Sequence, residues 1–336
     1  MKKSKIKTIL YIGSEFEHSI KEKGDSLNKR AYYSNFIKLG YKVTPIWYDT
    51  NGDDLQNNII EIANDLKPDM VFFVLQETQI DKKTLVALKK NNHFMVNYFG
   101  DDQWRFNDFS KYYANYFDVC ITTDKFSVDK YKDIGQKNII RSQWASLGSD
   151  VEYKNIEYKY DVSFIGGSST YRVWFVNELS KVGIKVHCFG DRWDNGRVSY
   201  EEMEHIFVTS KINLNISNST QYDIRYLLKN PRNILNTLRG KKNVSQTKAR
   251  IFEIPVHGGF ELTEYVPSIE DYFNLSNEIR CYKDIDEAKL LINYYLSHNE
   301  EREAIRTAGI KRARKEHTFY SRVVDFMKEI EEINDN

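Results

Sequence analysis

The chain contains few cysteines, only three in 336 residues, and these lie far apart at Cys120, Cys188 and Cys281. An odd number of widely spaced thiols, each in an apolar run, is typical neither of a disulfide framework nor of a zinc site. We therefore expect free, buried thiols in a protein of the reducing cytoplasm.

The sequence also lacks any apolar run near the roughly 20 residues that a membrane-spanning helix needs. Residues 1–7 are basic, but the apolar run after them is too short for a signal-peptide core and is typical of a buried strand. The formal net charge is only +1, so no long-range field favours a nucleic acid as a partner. We expect no transmembrane segment, no export and no nucleic-acid binding.

The first half of the chain contains a regular alternation of apolar strands and helical patterns, which is typical of a doubly wound parallel sheet. The run at 69–75 is apolar on both faces, as a central strand of such a sheet should be. A length of 336 residues is comfortable for two domains of this kind. The predicted strands of the first half lie at 6–13, 41–48, 69–75, 94–99, 118–122 and 138–141.

Three polar loops follow predicted strands, at 14–18, 76–78 and 100–105. Ligands of open parallel sheets gather beyond the carboxyl ends of the strands. The loop after the first strand lacks the glycine pattern of a dinucleotide site, so we expect this half to meet an acceptor. Glu77 and His18 are weaker candidates for a contact with that acceptor.

The adjacent carboxylates Asp101 and Asp102 are the catalytic candidates, and three roles stay open for them. One could act as a general base on an attacking hydroxyl. The pair could bind a metal ion, although hard cations want more oxygen ligands than the sequence offers here. Both could instead be turn and helix-capping residues.

Between about 145 and 160 the alternation stops in a charged stretch of low hydrophobicity, which indicates a linker. We predict an N-terminal Rossmann-like domain at 1–150 and a second Rossmann-like domain at 158–315. The last residues, 316–336, are predicted to form a helix that packs back on the first domain.

The second domain is predicted to begin with a strand that leads into Gly166-Gly167 and then a helix with Arg172 in its first turn. Glycines let the backbone approach a ligand closely, and free amides at a helix N-terminus attract anions. The pattern favours a cradle for a diphosphate. A tight strand-to-helix turn is the alternative.

Residues 226–250 contain seven basic side chains and no acidic one. This stretch can be a mobile flap over an anionic substrate, a membrane-facing patch or a solvated loop. The part at 229–250 is our candidate for peripheral contact with a membrane.

Charged residues and glycines are concentrated at 248–264, which has the sequence KARIFEIPVHGGFELTE. It combines the cations Lys248 and Arg250 with Glu253 on a predicted short helix. A glycine break and a strand ending in Thr263-Glu264 follow. We interpret this stretch as a nucleotide-binding corner.

Several runs of the second half together resemble the C-terminal half of CgeB-like (spore-maturation type) glycosyltransferases. In the first half the resemblance is limited to GDD at 100–102, FD at 117–118 and TD at 123–124. The runs of the second half are RIFEIPVHGGFELTE at 250–264, YYLSHNEER at 294–302, AG at 308–309, HTFYSR at 317–322, DVSFIG at 161–166 and SKINLN at 210–215.

The resemblance implies an α/β fold of GT-B type, in which two Rossmann-like domains with doubly wound parallel sheets face a cleft and a C-terminal helix crosses back. It implies a nucleoside-diphosphate sugar, with UDP favoured, as the donor on the C-terminal domain. A hydroxyl acceptor on a glycan, a protein or a small molecule would bind the N-terminal domain. No cofactor and no metal are implied.

The resemblance also implies roles for single residues. In the wider clan a Glu-x7-Glu motif places its second glutamate on the ribose hydroxyls, and Glu253 stands at that position. Ser245 stands where the first glutamate is expected, so the group that holds the sugar is unassigned. Lys248 and Arg250 would reach the diphosphate. The remaining nucleotide contacts implied are His257, Gly258, Gly259, Thr263 and Glu264.

The sequence therefore predicts a metal-independent glycosyltransferase. If the reaction inverts the anomeric centre, Asp101 or Asp102 is the base, and if it retains the configuration no such base is needed. Two alternatives stay open. They are a sugar-nucleotide epimerase of the same architecture and a binding protein that keeps the fold without catalysis.

Overall fold

The computed structural model describes residues 5–335, which divide into two compact units. The first unit joins the residues up to Leu147 with those from Phe319 onward, and the second is Gly148–Thr318. Each unit contains one parallel sheet between layers of helices, and each is described by itself.

The sheet of the first unit has six strands: β1 (Thr8–Gly13), β2 (Lys42–Trp47), β3 (Met70–Phe73), β4 (Met95–Phe99), β5 (Val119–Thr122) and β6 (Ile139–Arg141). Their order is β2-β1-β3-β4-β5-β6, and every neighbouring pair is parallel. All six predicted strands are present with slightly shorter bounds, so the predicted doubly wound sheet is confirmed.

The sheet of the second unit has five strands: β7 (Tyr160–Ile165), β8 (His187–Phe189), β9 (Ser210–Asn215), β10 (Glu261–Glu264) and β11 (Arg280–Tyr282). Their order is β11-β10-β9-β7-β8, again all parallel. In both sheets the first strand lies between the second and the third, so the winding reverses there. Ligands of such sheets bind at this reversal, beyond the carboxyl ends of the strands.

Thirteen α-helices connect and cover the strands within residues 5–335. None of them is both long and apolar enough to cross a membrane. A π-helical turn, Lys29–Tyr33, precedes the first. In chain order they are α1 (Ser34–Lys38), α2 (Leu55–Leu66), α3 (Lys82–Lys90), α4 (Asp102–Arg105), α5 (Ser127–Asp133), α6 (Thr170–Ser180), α7 (Tyr200–Val208), α8 (Ile224–Lys229), α9 (Pro231–Arg239), α10 (Ala249–Val256), α11 (Ile285–Ser297), α12 (Asn299–Glu316) and α13 (Phe319–Asp335).

Both faces of the first sheet are buried at its centre, which explains why β1, β3 and β5 are apolar along nearly their whole length. Leu10 and Phe73 face one apolar cluster, while Tyr11 and Phe72 face another that α13 completes. The Phe326 ring of α13 stacks on Phe72 with ring centroids 5.9 Å apart. Burial of each such side chain stabilises the fold by roughly 1.5–3 kcal/mol, so the last helix is held in the first unit.

The alternative of a solvated loop is wrong for residues 226–239, because these belong to α8, to α9 and to the single residue that joins them. The mobile flap and the membrane-facing patch stay predictions. The side chain of Asn230 accepts a hydrogen bond from the Arg232 amide at 2.9 Å, and Pro231 occupies the first turn of α9. A side-chain cap followed by proline is a helix start.

Candidate active site

The three polar loops of the first unit meet around one cavity of about 340 Å³. Apolar side chains form part of its wall, among them the rings of Phe16, Phe109 and Trp144. The cavity lies beyond the carboxyl ends of β1, β3 and β4, where the winding of this sheet places a ligand. Its polar wall includes Ser14, Glu17, His18, Gln76, Glu77, Asp101 and Arg105.

The loop after β1 is fixed by Asp49, which follows β2. Its carboxylate accepts hydrogen bonds from the amides of Glu15 and Phe16 at 2.8 and 2.9 Å, and from the Ser14 hydroxyl at 3.0 Å. This anchor keeps the cavity wall in shape. Sequence reasoning missed Asp49, although its place after a predicted strand is a usable signal.

Gly100 is required by the ring that lies over it. A Cβ atom at this position would come within 2.8 Å of the Trp144 ring, closer than such contacts occur. Any larger residue would therefore push Trp144 away from the wall of the cavity.

The two catalytic candidates differ completely in their surroundings. Asp101 precedes α4 and lines the cavity. Asp102 is only 1% exposed, and its carboxylate accepts hydrogen bonds from Ser110 at 2.5 Å, Thr122 at 2.6 Å and Tyr131 at 2.8 Å. Of the two, Asp101 is the one that a ligand in the cavity can reach.

Burial raises the pKa of Asp102 to about 6, although the three hydroxyl donors oppose this shift and nearby Asp124 adds to it. Asp102 thus ties α4 to β5 and α5 from inside the unit. The geometry assigns it to the support of the cavity rather than to its surface.

We expect the Asp102→Asn variant to gain stability relative to wild type as the pH rises. In the folded protein the pKa of Asp102 lies above its unfolded value near 4. Folding therefore favours the protonated carboxyl, and this contribution to the free energy of unfolding is fully present below pH 4 and is lost as the pH rises to about 6. The difference in free energy of unfolding should shift by about 2 kcal/mol between pH 4 and pH 7. Urea denaturation of both proteins measures this shift.

The matched control is Asp129→Asn, because the Asp129 side chain is 85% exposed on α5. This variant should change in stability far less than Asp102→Asn between the two pH values, because an exposed ion pair contributes little to the free energy of unfolding. A pH-independent difference for Asp102→Asn as well would contradict the raised pKa.

In the second unit the two glycines of the turn after β7 differ in how much space surrounds them. A Cβ atom at Gly166 would lie 2.9 Å from the Phe164 ring, whereas at Gly167 the nearest atom is Cβ of Asp191 at 3.9 Å. Gly166 therefore leaves the space that the Phe164 ring occupies. Gly167 leaves its backbone open next to the N-terminus of α6, which Ser169 caps.

Arg172 ties this turn to the end of β9. Its guanidinium donates to the carbonyl of Gly167 at 2.8 Å and to that of Ile216 at 2.7 Å. Burial, with a contribution from nearby Arg250, lowers the pKa of Arg172 to about 10, so it stays charged at neutral pH. It places a positive charge where the winding of the second sheet reverses.

The helix α10 carries the predicted cation and carboxylate as a pair. Arg250 Nη1 lies 2.9 Å from Glu253 Oε2, one helical turn apart, and both side chains are mostly buried. The guanidinium also lies over the Phe207 ring, 5.3 Å from its centroid. Lys248 stands at the N-cap position of the same helix. The predicted short helix is confirmed, and it brings these three residues together.

Glu264 ends β10 among hydroxyl and amide donors. It accepts from the Ser217 amide at 3.2 Å, from Gln221 at 3.3 Å and from the Ser245 hydroxyl at 3.4 Å. Burial raises its pKa. Ser245, which stands where the resemblance expects an acid, thus lies beside a carboxylate from another segment. Sequence reasoning missed Ser217 and Gln221, whose only signal is that they follow the SKINLN run at 210–215.

His257 is fully buried and bound on both ring nitrogens. Nε2 lies 2.9 Å from the Tyr200 hydroxyl and Nδ1 lies 3.0 Å from Glu204 Oε1. Burial lowers its pKa. These contacts account for the buried histidine without a ligand.

The glycines after His257 also face the interior. The Gly258 carbonyl accepts from Arg306 Nε at 2.7 Å, and its φ of 85° favours glycine. A Cβ atom at Gly259 would lie 2.5 Å from the Asn213 side chain. Thr263 is buried within the sheet and accepts from Asn215 at 3.2 Å.

Glu261 is a buried carboxyl that sequence reasoning did not single out. It is 1% exposed at the start of β10, and Asn215 donates to Oε1 at 3.3 Å. Burial raises its pKa well above the ordinary value. Within residues 5–335 no group of three or more His, Cys, Asp or Glu side chains could hold a metal ion.

Comparison with known proteins gives the fold of the whole chain and a family description for part of it. No match was found among curated protein sequences. The structure is similar to that of a glycosyltransferase from Rickettsia africae, with a TM-score of 0.63, 12% identity, and 98% of this chain and 99% of that chain covered. It is also similar to Anabaena HepE in complex with UDP and glucose, with a TM-score of 0.61, 10% identity, and 97% and 100% covered.

A third similar structure is the sucrose-phosphate synthase of Thermosynechococcus elongatus, with a TM-score of 0.59, 7% identity, and 97% and 99% of the two chains covered. At these identities the likeness establishes the fold, and the predicted α/β class of GT-B type is confirmed. Residues 172–328 match a family described as glycosyl transferase-like. The match spans most of the second unit and extends into α13 of the first.

Proposed function

We propose that the protein is a glycosyltransferase, related to the CgeB-like type, that moves a sugar from a nucleoside diphosphate to a hydroxyl acceptor. The observation that carries this proposal is the Arg250 and Glu253 pair on α10, within the segment that matches the glycosyl transferase-like family. In such a pair the cation can bind the diphosphate of a nucleoside diphosphate, and the carboxylate can bind its ribose.

In this proposal Glu253 accepts hydrogen bonds from the vicinal ribose hydroxyls, since a carboxylate can accept two. Arg250 and Lys248 face the diphosphate. The open backbone at Gly167, the charge of Arg172 and the amides of α6 add to the same anion site. Positive groups held there would stabilise the charge that develops on the leaving nucleoside diphosphate.

Glu264 and the serines around it are proposed to contact the ribose, the base or the sugar of the donor. The nucleotide is proposed to be UDP, because the similar Anabaena structure holds UDP and glucose. The acceptor is proposed to bind the cavity of the first unit, where Asp101 would take the proton of the attacking hydroxyl. No metal is given a role, and we place the protein in the cytoplasm, where its three free thiols stay reduced.

A thermal-shift screen of nucleoside diphosphates and their sugars tests this function directly. A ligand at a hundredfold excess over its Kd adds about 2.7 kcal/mol of stability, which is about 5 °C for a chain of this size. We expect UDP and one UDP-sugar to give this shift. Failure of every nucleotide to stabilise the protein would contradict the proposal.

The same ligands then separate the reaction types. Even without an acceptor, a glycosyltransferase slowly hydrolyses its donor and releases UDP. An epimerase would instead convert the donor into a different free nucleotide sugar, which proton NMR of the donor alone detects.

A further inference from the structure

The hairpin formed by α8 and α9 exposes an unusual amount of apolar surface. Seven large apolar side chains are exposed within residues 222–244, against thirteen in all the rest of residues 5–335. They include Leu228 at 72% and Leu238 at 77% exposed. Apolar side chains concentrated in this way mark a surface with a partner.

The helix α9 has polar side chains facing the protein and apolar side chains facing solvent, which is the reverse of an ordinary surface helix. Its inward side chains are polar: Asn233 donates to the Tyr226 carbonyl at 2.8 Å, and Thr237 donates to the Gln221 carbonyl at 3.3 Å. The outward ones are apolar, namely Ile234, Leu235 and Leu238. Spacings of one, three and four residues put these three on one face. The hairpin thus turns its apolar stripe towards solvent.

The helix α8 repeats the arrangement. Tyr226 is buried, while Ile224, at 67% exposed, and Leu228, one turn later, are on the surface. The two short helices therefore present a shared row of apolar side chains rather than a single exposed residue.

Positive charge accompanies this row. Residues 224–244 contain six basic side chains and no acidic one. Of these, Arg225 is held by Asp223 and Asp286 at 2.7 and 2.6 Å. Arg232 and Arg239 are seven residues apart, so they lie on the same flank of α9, beside the apolar stripe. The other basic residues are Lys229, Lys241 and Lys242.

We propose that this hairpin is a binding surface for a lipid bilayer that contains anionic headgroups. An apolar stripe flanked by arginines and lysines can enter the boundary between headgroups and acyl chains while its cations contact lipid phosphates. The absence of acidic side chains over these residues matches the negative charge of such a surface. This binding goes beyond the transferase activity and does not depend on it.

The hairpin is anchored in the cluster around Glu264. Gln221, whose carbonyl accepts from Thr237, donates its side chain to Glu264 at 3.3 Å. The Thr220 amide donates to the Lys242 carbonyl at 2.8 Å. A hairpin that rests on a bilayer therefore holds this cluster close to the membrane surface.

Vesicle co-sedimentation tests the proposal with the full-length chain. We expect the protein to pellet with vesicles of phosphatidylcholine and phosphatidylglycerol at low salt, and to remain in solution with phosphatidylcholine alone. The double variant Leu235→Glu, Leu238→Glu should bind about tenfold more weakly or worse. Both leucines are already exposed, so circular dichroism should show an unchanged fold.

The matched control is Leu290→Glu, because Leu290 is 71% exposed on α11 outside the hairpin. It should bind vesicles as wild type does. The proposal is overturned if wild type fails to pellet with anionic vesicles, or if the double variant binds as well as wild type. It is also overturned if light scattering shows a dimer that the double variant dissolves, because the hairpin would then join two copies of the chain.

Discussion

Replacing Asp101 with asparagine should lower turnover of the donor about a thousandfold while leaving the affinity for UDP unchanged. A general base contributes about 10²–10⁴ to the rate, and asparagine keeps the shape of the side chain without its basicity. Asp101 lines the cavity of the first unit, whereas the proposed nucleotide contacts lie in the second. A UDP-release assay gives the rate, and calorimetry with UDP gives the affinity.

The matched control for this prediction is the neighbouring residue. Asp102→Asn changes a buried carboxylate whose three partners are all hydroxyls, so it should alter stability with pH far more than turnover at pH 7. If Asp101→Asn keeps activity within about threefold of wild type, Asp101 is not the base. NMR of the product anomer then shows whether the reaction retains configuration and needs none.

The architecture was predictable because a buried parallel strand has to be apolar on both faces. Met70–Phe73 is buried at all four positions, and nothing in its sequence conflicts with that. The helices α8 and α9 depart from the rule that the apolar side chains of a helix face the core. Their apolar side chains point to solvent, so a pattern that normally indicates a core carries no information about where these helices pack.

The catalytic candidates show a different limit. Asp101 and Asp102 are the same residue type at adjacent positions, and the sequence cannot rank them. Their difference comes from Ser110, Thr122 and Tyr131, which lie up to 29 residues away along the chain and surround only one of the two. Partners at that separation are set by the fold.

The same holds for the cluster around Glu264. Its donors come from the loop after β9 and from the segment before α10, so the fold brings Ser217 and Ser245 from two separate segments to one carboxylate. In a motif search over neighbouring positions, Ser245 is only the serine that stands where an acid is expected. In the structure a carboxylate from the end of β10 lies next to it.

Replacing Glu253 with alanine should weaken UDP binding about a hundredfold. Two hydrogen bonds from ribose hydroxyls to a charged acceptor contribute about 1.5 kcal/mol each at the lower end of their range, and each 1.4 kcal/mol is a factor of ten in Kd. Glu201→Ala is the control, because Glu201 is exposed on α7 and should leave the affinity as in wild type. Calorimetry with UDP measures all three proteins.

The ribose contact itself is tested by comparing UDP with 2′-deoxy-UDP. Glu253 is paired with Arg250 at 2.9 Å, so its removal also frees a cation for the diphosphate and can mask part of the loss in total affinity. The preference for the ribonucleotide is insensitive to that cation, because both ligands carry the same diphosphate. Wild type should prefer UDP by about tenfold, the value of one such hydrogen bond, and Glu253→Ala should bind both ligands equally. A variant that keeps the full preference would place the ribose elsewhere, with Glu264 as the next carboxylate to test.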